Sequence, residues 1–211
     1  MTDIAVLGTG TVGSALGARL GQTGHHIYYG VRSADTQPPD GLLQRSGANA
    51  QAGTCAAAIA ASRAVLLAVP WDQVRGILAT AGDLTGKILI DCINPLTSDL
   101  KDLQFGHTTS AAEQIAEWHP TARVVKAFNV LSAAVMADPR FGATRATMFY
   151  CGDEAEAKAL IGRLAEQLEF EPVDCGPLRA ARWLESMAML YVHLAIFGGW
   201  GGECALKMMK R

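Results

Sequence analysis

Short apolar runs separated by amphipathic stretches fill the first 175 residues of the chain. Runs such as 64–69 and 87–93 are continuous rather than alternating, as is typical of strands covered on both faces in a parallel sheet. The pattern predicts strands at 3–8, 26–31, 48–51, 64–69, 87–93, 122–128, 146–151 and 170–174. It predicts helices near 12–23, 53–61, 71–80, 109–118, 131–136 and 154–168. This alternation indicates an α/β fold with a doubly wound, mostly parallel sheet.

The last part of the chain follows a different pattern. Gly176 and Pro177 end the last predicted strand, and proline is favourable at the start of a helix. Residues 178–197 are then expected to form one long apolar helix, which the glycines of 198–202 interrupt. A helix that is apolar all round has to be buried on several sides. We therefore divide the chain into a domain of residues 1–175 and a C-terminal helical segment, 176–211, that packs on the site or on a second subunit.

A glycine-rich turn directly follows the first predicted strand and opens the first predicted helix. Its three glycines have the G-x-G-x-x-G spacing of a dinucleotide-binding turn, so the domain is expected to be Rossmann-like. The first glycine allows a tight turn, the second lets the backbone approach a pyrophosphate, and the third lets the helix pack against the strand. The alternative is a glycine-rich turn without a ligand. The residues predicted to hold the pyrophosphate are Gly8, Thr9, Gly10, Thr11, Val12 and Gly13.

The end of the second predicted strand indicates which dinucleotide is bound. An NAD site usually places Asp or Glu there to bind the ribose 2′-hydroxyl. This chain has Arg32 and Ser33 instead, and its next acid is Asp35. A guanidinium and a hydroxyl suit a 2′-phosphate, which favours NADP(H) over NAD(H). The alternative interpretation of Arg32 is an ordinary solvated surface arginine.

Composition and charge exclude several classes of partner. The 211 residues are 50% hydrophobic with a net charge of −2, and no strong basic bias indicates nucleic acid or an anionic membrane surface. The five cysteines form no C-x-x-C pair, so buried thiols in a reducing cytoplasm are expected. The chain enters its first strand without a signal peptide, and the five histidines do not pair at metal-ligand spacing. We therefore expect a cytoplasmic protein without a metal site.

The motifs together resemble the NADP-dependent oxidoreductases typified by the reduced coenzyme F420:NADP oxidoreductase of archaea. The cytosolic domain of the six-transmembrane metalloreductases is a related branch. The resemblance covers nearly the whole chain. It is carried by the stretches 8–13, 30–33, 66–71, 93–95, 110–115, 125–129, 174–178 and 181–185.

The resemblance implies roles for particular residues. Residues matching Thr9 to Val12 hold the pyrophosphate, and those matching Arg32 and Ser33 hold the 2′-phosphate. The backbone of Ala68, Val69 and Pro70 is implied to pass under the nicotinamide-side ribose. The chain departs from the pattern twice. Archaeal members often carry a second basic residue where this chain has 34–37, and some carry His where it has Asn129.

The resemblance also implies a second substrate, which is coenzyme F420 or a flavin. Hydride transfer to such a ring needs no general acid or base at the carbon that receives it. The sequence accordingly shows no clear Ser/His/Asp or Lys/Glu constellation. Asn94 and Asn129 are polar candidates for binding the carboxamide or a ring carbonyl, although Asn94 is equally explained as a turn starter before Pro95. The residues predicted to line the cleft are Val69, Pro70, Trp71, Asn94, Pro95, Asn129, Val130 and Leu131, with His107 as a further substrate candidate.

Three functions remain open on the sequence alone. The first is an oxidoreductase that passes hydride between NADPH and a flavin-like ring. The second is an imine reductase or hydroxy-acid dehydrogenase of the same fold, and the third is a non-enzymatic NADP(H) sensor. We expect a homodimer, because the 178–197 helix has more apolar surface than one small domain covers. The cations expected at the cleft mouth are Arg179, Arg182, Lys207, Lys210 and Arg211.

Overall fold

A computed structural model describes residues 1–31 and 36–211. Its strands are β1 (Asp3–Leu7), β2 (His26–Val31), β3 (Ala50–Thr54), β4 (Ala64–Leu67), β5 (Ile88–Asp91), β6 (Arg123–Ala127), β7 (Arg140–Phe141), β8 (Thr144–Arg145), β9 (Thr147–Gly152) and β10 (Glu171–Asp174). Its α-helices are α1 (Thr11–Gln22), α2 (Leu42–Ser46), α3 (Cys55–Ala60), α4 (Trp71–Ala79), α5 (Ala111–Trp118), α6 (Ala133–Ala137), α7 (Ala155–Gln167) and α8 (Ala181–Val192).

Eight of these strands form one sheet in the order β10-β9-β6-β5-β4-β1-β2-β3. All neighbouring pairs are parallel except β6 and β9, which run antiparallel. The order β3-β2-β1-β4-β5-β6 is that of a dinucleotide-binding sheet. The prediction of a Rossmann-like, doubly wound and mostly parallel sheet is therefore confirmed. The small β7–β8 hairpin and helix α2 are elements that the sequence pattern did not predict, and β3 lies a few residues later than expected.

The sheet is buried on both faces, as the continuous apolar runs predicted. Along β1, Ile4 and Val6 belong to one core cluster, while Ala5 and Leu7 belong to the cluster on the opposite face. All four side chains are fully buried. Because successive residues of a strand point to opposite faces, helices on both sides are needed to bury such a strand.

The C-terminal segment is helical but not uniform. A 3-10 turn at Leu178–Ala180 leads into α8, and a π-helical turn at His193–Phe197 follows it. Within α8, Leu184 and Tyr191 are buried, whereas Trp183 is 64% exposed. Burial is therefore confined to one face of α8 along its whole length, so the expected burial on several sides is wrong. No helix in the part of the chain that the structure describes has the length and apolar content needed to cross a membrane.

Candidate functional site

The three glycines after β1 have three different environments. Gly8 has φ of +102°, and a Cβ there would lie 2.3 Å from the carbonyl oxygen of Ala68. A Cβ on Gly13 would lie 1.9 Å from the carbonyl oxygen of Gly8. At Gly10, by contrast, a Cβ would meet nothing within 4 Å. Gly8 and Gly13 are therefore required by the packing of the turn, whereas Gly10 leaves open space where a ligand can approach the backbone.

The N-terminus of α1 is open toward this space. Gly10 is its N-cap, with no side-chain hydrogen bond to the cap and no acidic residue in the first turn. The first-turn N–H groups of a helix have no partner within the helix, and the helix dipole adds partial positive charge there. The geometry therefore fits the pyrophosphate of a dinucleotide.

A cleft of about 840 Å³ lies at the carboxyl ends of β1 and β4. These neighbouring strands connect onward to opposite sides of the sheet, which is where ligands bind in doubly wound folds. The described residues that line the cleft include no carboxylate, imidazole or amine. They are Leu7, Gly8, Thr9, Gly10, Gly30, Val31, Thr36, Thr54, Cys55, Ala56, Ala68, Val69, Pro70, Gln73, Gly76, Ile77 and Thr80.

The structure therefore brings Ala68, Val69 and Pro70 to the cleft together with the glycine turn, as the resemblance implied. The predicted 2′-phosphate ligands, Arg32 and Ser33, lie outside the described residues. The residue before them, Val31, ends β2 and lines the cleft.

Asn94 and Asn129 form a pair of interlocked amides. Asn94 Nδ2 donates to the backbone oxygen of Asn129 at 2.8 Å, and Asn129 Nδ2 donates to Asn94 Oδ1 at 2.9 Å. Asn129 Nδ2 also donates to the backbone oxygen of Leu184, on α8, at 3.0 Å. Asn94 follows β5 and Asn129 follows β6, at the same edge of the sheet as the cleft.

Two features mark the Asn129 turn as a specialised one. The buried Oδ1 atom of Asn129 has no hydrogen-bond partner among the described residues. Phe128, just before it, has φ of +61°, which a bulky residue rarely adopts. Unpaired buried acceptors and strained backbone are unfavourable, and they occur preferentially at ligand sites.

The other predicted substrate residues have varied surroundings. Trp71 stacks on Trp118 with ring centroids 5.4 Å apart, and Phe105 contacts its edge. His107 is exposed in a left-handed conformation with φ of +58°. The three remaining residues are buried in the protein, and they are Pro95, Val130 and Leu131.

A buried ion cluster beside the amide pair was missed by the sequence analysis. We call it the Lys126 cluster, and it consists of Asp91, Lys126 and Glu185. Lys126 Nζ lies 2.9 Å from Asp91 Oδ2 and 2.7 Å from Glu185 Oε1, and the three side chains are at most 1% exposed. Its three members are far apart in the sequence, so no local motif indicated the cluster. A lysine at an interior strand position was the available signal, since Lys is almost never fully buried unless paired.

The two carboxylates keep the Lys126 ammonium charged. Burial by itself lowers the pKa of Lys126, but the charges of Asp91 and Glu185 outweigh it and raise that pKa well above its usual range. Burial raises the pKa of Glu185, and Lys126 opposes that rise. Glu185 also accepts hydrogen bonds from the backbone N–H groups of Ala111 and Ala112 at the start of α5. The positive end of that helix therefore helps to stabilise the second carboxylate.

The cations of the C-terminal segment are partly engaged within the protein. Arg182 makes a bidentate contact with Glu113, with distances between 2.7 and 3.1 Å. Lys207 forms an ion pair with Glu171. The guanidinium of Arg179 lies 6.0 Å from the Trp183 ring centroid. Lys210 and Arg211 are exposed.

The fold and the cleft define a dinucleotide-binding protein, and comparison with known proteins identifies its family. Residues 3–95 match the family described as NADP oxidoreductase coenzyme F420-dependent. The chain is 30% identical to the F420-dependent NADP reductase of Methanothermobacter marburgensis, over 92% of each chain. The chain therefore belongs to this family of coenzyme F420-dependent NADP oxidoreductases.

Two further similarities agree with this assignment. The crystal structure of a putative F420-dependent NADP reductase from Arthrobacter superimposes with a TM-score of 0.89 at 30% identity, over the full length of both chains. The metalloreductase STEAP3 of Rattus norvegicus is 32% identical over 88% of this chain. The match spans only 36% of that longer protein, so the likeness concerns one part of it.

Proposed function

We propose that the protein transfers hydride between NADPH and the deazaflavin ring of coenzyme F420. The observation that carries this proposal is a cofactor cleft whose described lining contains no carboxylate, imidazole or amine. Reduction of a carbonyl to an alcohol needs a proton donor at the oxygen, whereas a ring carbon receives hydride directly. The names of the archaeal and Arthrobacter relatives support the same acceptor.

The reaction balances as a two-electron transfer. NADPH supplies one hydride, the deazaflavin ring accepts it at carbon, and one proton from solvent completes the reduced ring. The protein's contribution is to hold two flat rings in contact and to exclude water between them. In the proposed complex the unpaired Asn129 Oδ1 and the outer edge of Asn94 bind polar groups of these rings.

Steady-state assays with different acceptors test the proposal. NADPH oxidation is measured with coenzyme F420, with riboflavin phosphate, with a quinone and with a cyclic imine. We expect turnover with the deazaflavin to exceed turnover with the imine at least about 100-fold, because a site that hydrogen-bonds its substrate discriminates strongly against a ligand without the matching groups. Reduction of the imine but not of any ring acceptor would assign the protein to the imine reductases of this fold.

Substitution of the amide pair links the assay to the site. Asn94→Ala is expected to lower turnover while the protein remains folded. Asn49→Ala is the matched control, because Asn49 is exposed and lies between α2 and β3. NADPH binding by the wild-type protein without turnover of any acceptor would instead support a non-enzymatic sensor.

We also propose that the protein is a homodimer whose interface covers the exposed face of the C-terminal segment. Seven large apolar side chains of the segment are exposed, and they are Trp183, Leu190, Ile196, Phe197, Trp200, Met208 and Met209. Trp183, Leu190 and Phe197 are seven residues apart in sequence, so they lie on one face of the helical segment. A contiguous apolar surface of this kind usually marks a protein interface.

A further inference from the structure

The Lys126 cluster holds backbone groups as well as charges. Asp91 Oδ1 accepts a hydrogen bond from the backbone N–H of Ile93 at 2.9 Å, and Lys126 Nζ donates to the backbone oxygen of the same residue. Both backbone polar groups of Ile93 are therefore fixed by the cluster. The next residue in the chain is Asn94, so the cluster sets the direction in which the chain enters the amide pair.

The remaining anchors of the amide pair are also tied to the cluster. Asn129 is three residues beyond Lys126, at the end of the same strand. The carbonyl that accepts from Asn129 Nδ2 belongs to Leu184, which directly precedes Glu185. Each of the three chain segments that orient the amides thus carries one member of the cluster.

The cluster is an unusual arrangement if its only purpose is stability. Two carboxylates face one ammonium, so ionised side chains leave an excess of one negative charge in the interior. A buried ion pair rarely stabilises a protein more than well-packed apolar residues at the same positions would. The best-attested role of such pairs is to specify one geometry. The geometry specified here is that of Asn94 and Asn129, at the edge of the sheet where the cofactor cleft lies.

We propose that Lys126, together with Asp91 and Glu185, is a positioning group that orients the Asn94–Asn129 amide pair toward the nicotinamide half of bound NADP(H). The inference rests on the proposed function in one respect, which is that the nicotinamide ring lies beside these amides. It does not depend on which acceptor receives the hydride. Loss of one carboxylate from the cluster should therefore weaken recognition of the nicotinamide half and leave the adenosine half unaffected.

A comparison of two ligands isolates this effect. NADPH carries both halves of the dinucleotide, whereas 2′,5′-ADP carries only the phosphorylated adenosine half. In the Glu185→Gln variant, the glutamine can still accept from Ala111 N–H, and Lys126 and Asp91 remain as a neutral pair. We expect NADPH affinity, measured by calorimetry, to fall about 10-fold, while 2′,5′-ADP affinity changes less than about twofold.

A second variant and a control complete the design. Asp91→Asn leaves Lys126 paired with Glu185, so it should give the same split between the two ligands. Lys158→Met is the matched control, since it removes a Lys–Asp pair with Asp174 that joins α7 to β10. This control should leave both affinities unchanged.

The outcomes separate the proposal from its alternatives. Equal loss of affinity for both ligands, or no loss for either in a folded variant, would overturn the positioning role. If neither Glu185→Gln nor Asp91→Asn folds, the cluster is a structural ion cluster only and the proposal is likewise wrong. Failure of the proposed function is seen separately, as a wild-type protein that binds NADPH and does not reduce coenzyme F420.

Discussion

Asp91 and Lys126 are register partners on the neighbouring strands β5 and β6, and their side chains form an ion pair of 2.9 Å with no exposed surface on either side chain. In-register residues of parallel strands point to the same face, so the pairing follows directly from the sheet register. Glu185 of α8 forms a second ion pair with Lys126. The C-terminal segment is therefore attached to the sheet by charge as well as by apolar packing.

Removal of Lys126 should strongly destabilise the protein. Lys126→Met would leave two buried carboxylates without a cation, and such losses typically reduce the free energy of unfolding by about 3–5 kcal/mol. Urea denaturation at neutral pH measures the change. Lys158→Met should cost less than about 1 kcal/mol, because its partner Asp174 is 42% exposed. Similar reductions in the free energy of unfolding for both variants would contradict the claim that burial makes the Lys126 pair more important for stability.

The glycine turn should separate binding from folding. Gly10→Val is expected to abolish NADPH binding with little change in melting temperature, because its side chain would enter the open space that the cleft provides. Gly13→Ala should instead lower the melting temperature, because its Cβ would overlap the carbonyl of Gly8. Thermal unfolding with and without NADPH measures both effects. Normal NADPH binding by Gly10→Val would refute the dinucleotide assignment of this turn.

Preference for the 2′-phosphate should depend on Arg32. Loss of a charge-assisted phosphate contact costs about 1.5–3 kcal/mol, which corresponds to roughly 10- to 100-fold in affinity. Arg32→Ala should therefore weaken NADPH binding by this factor and leave NADH binding nearly unchanged. Arg63→Ala is the control for net charge, since Arg63 is exposed just before β4. Equal losses for NADPH and NADH would show that Arg32 does not bind the 2′-phosphate.

The Glu113–Arg182 contact should make stability depend on acid pH. Partial burial raises the pKa of Glu113, but hydrogen bonds from Arg182 and Ser110 outweigh it and hold that pKa below 4.5. Over the interval between the folded and unfolded pKa values the unfolded chain binds more protons, so stability is lost as the pH falls from about 4.5 through the lower folded value.

Glu113→Gln tests this dependence. We expect its melting temperature to lie about 2–4 °C below that of the wild type at pH 7, and the difference to shrink below pH 4. Glu117→Gln, an exposed position on the same helix, should change little at either pH. A constant difference across the acid range would show that the ion pair is not responsible.

The proposed dimer predicts a solution mass of twice the 22.3 kDa of one chain. Leu190→Glu and Phe197→Glu should each give a monomer in light scattering, because a charge on the apolar face opposes its burial. Phe141→Glu, on the small β7–β8 hairpin, should remain dimeric. A wild-type monomer at micromolar concentration would contradict the interface.

Most strands and helices of the fold are specified by local sequence patterns and could be predicted from them. The eight strands of the main sheet and most helices follow from apolar runs and periodicities within short stretches of the chain. The predicted roles of Gly8, Gly10 and Gly13 agree with the space around each glycine. Helix α2 was missed because its five residues, which closely follow Pro38 and Pro39, give too little periodicity to recognise.

The arrangement beside the cleft was decided by tertiary structure. Asn94 and Asn129 were predicted separately, but nothing in the sequence indicates that their amides bind each other across 35 positions. The meeting of Asp91, Lys126 and Glu185 depends on strand order, on strand register and on the position of α8 over the sheet. Sequence patterns report which residues share an element, whereas contacts between elements depend on how whole layers pack. The sequence by itself therefore determined the glycine turn of the cofactor cleft. The amide pair and the Lys126 cluster beside the cleft were determined only by the packing of the C-terminal helix on the sheet.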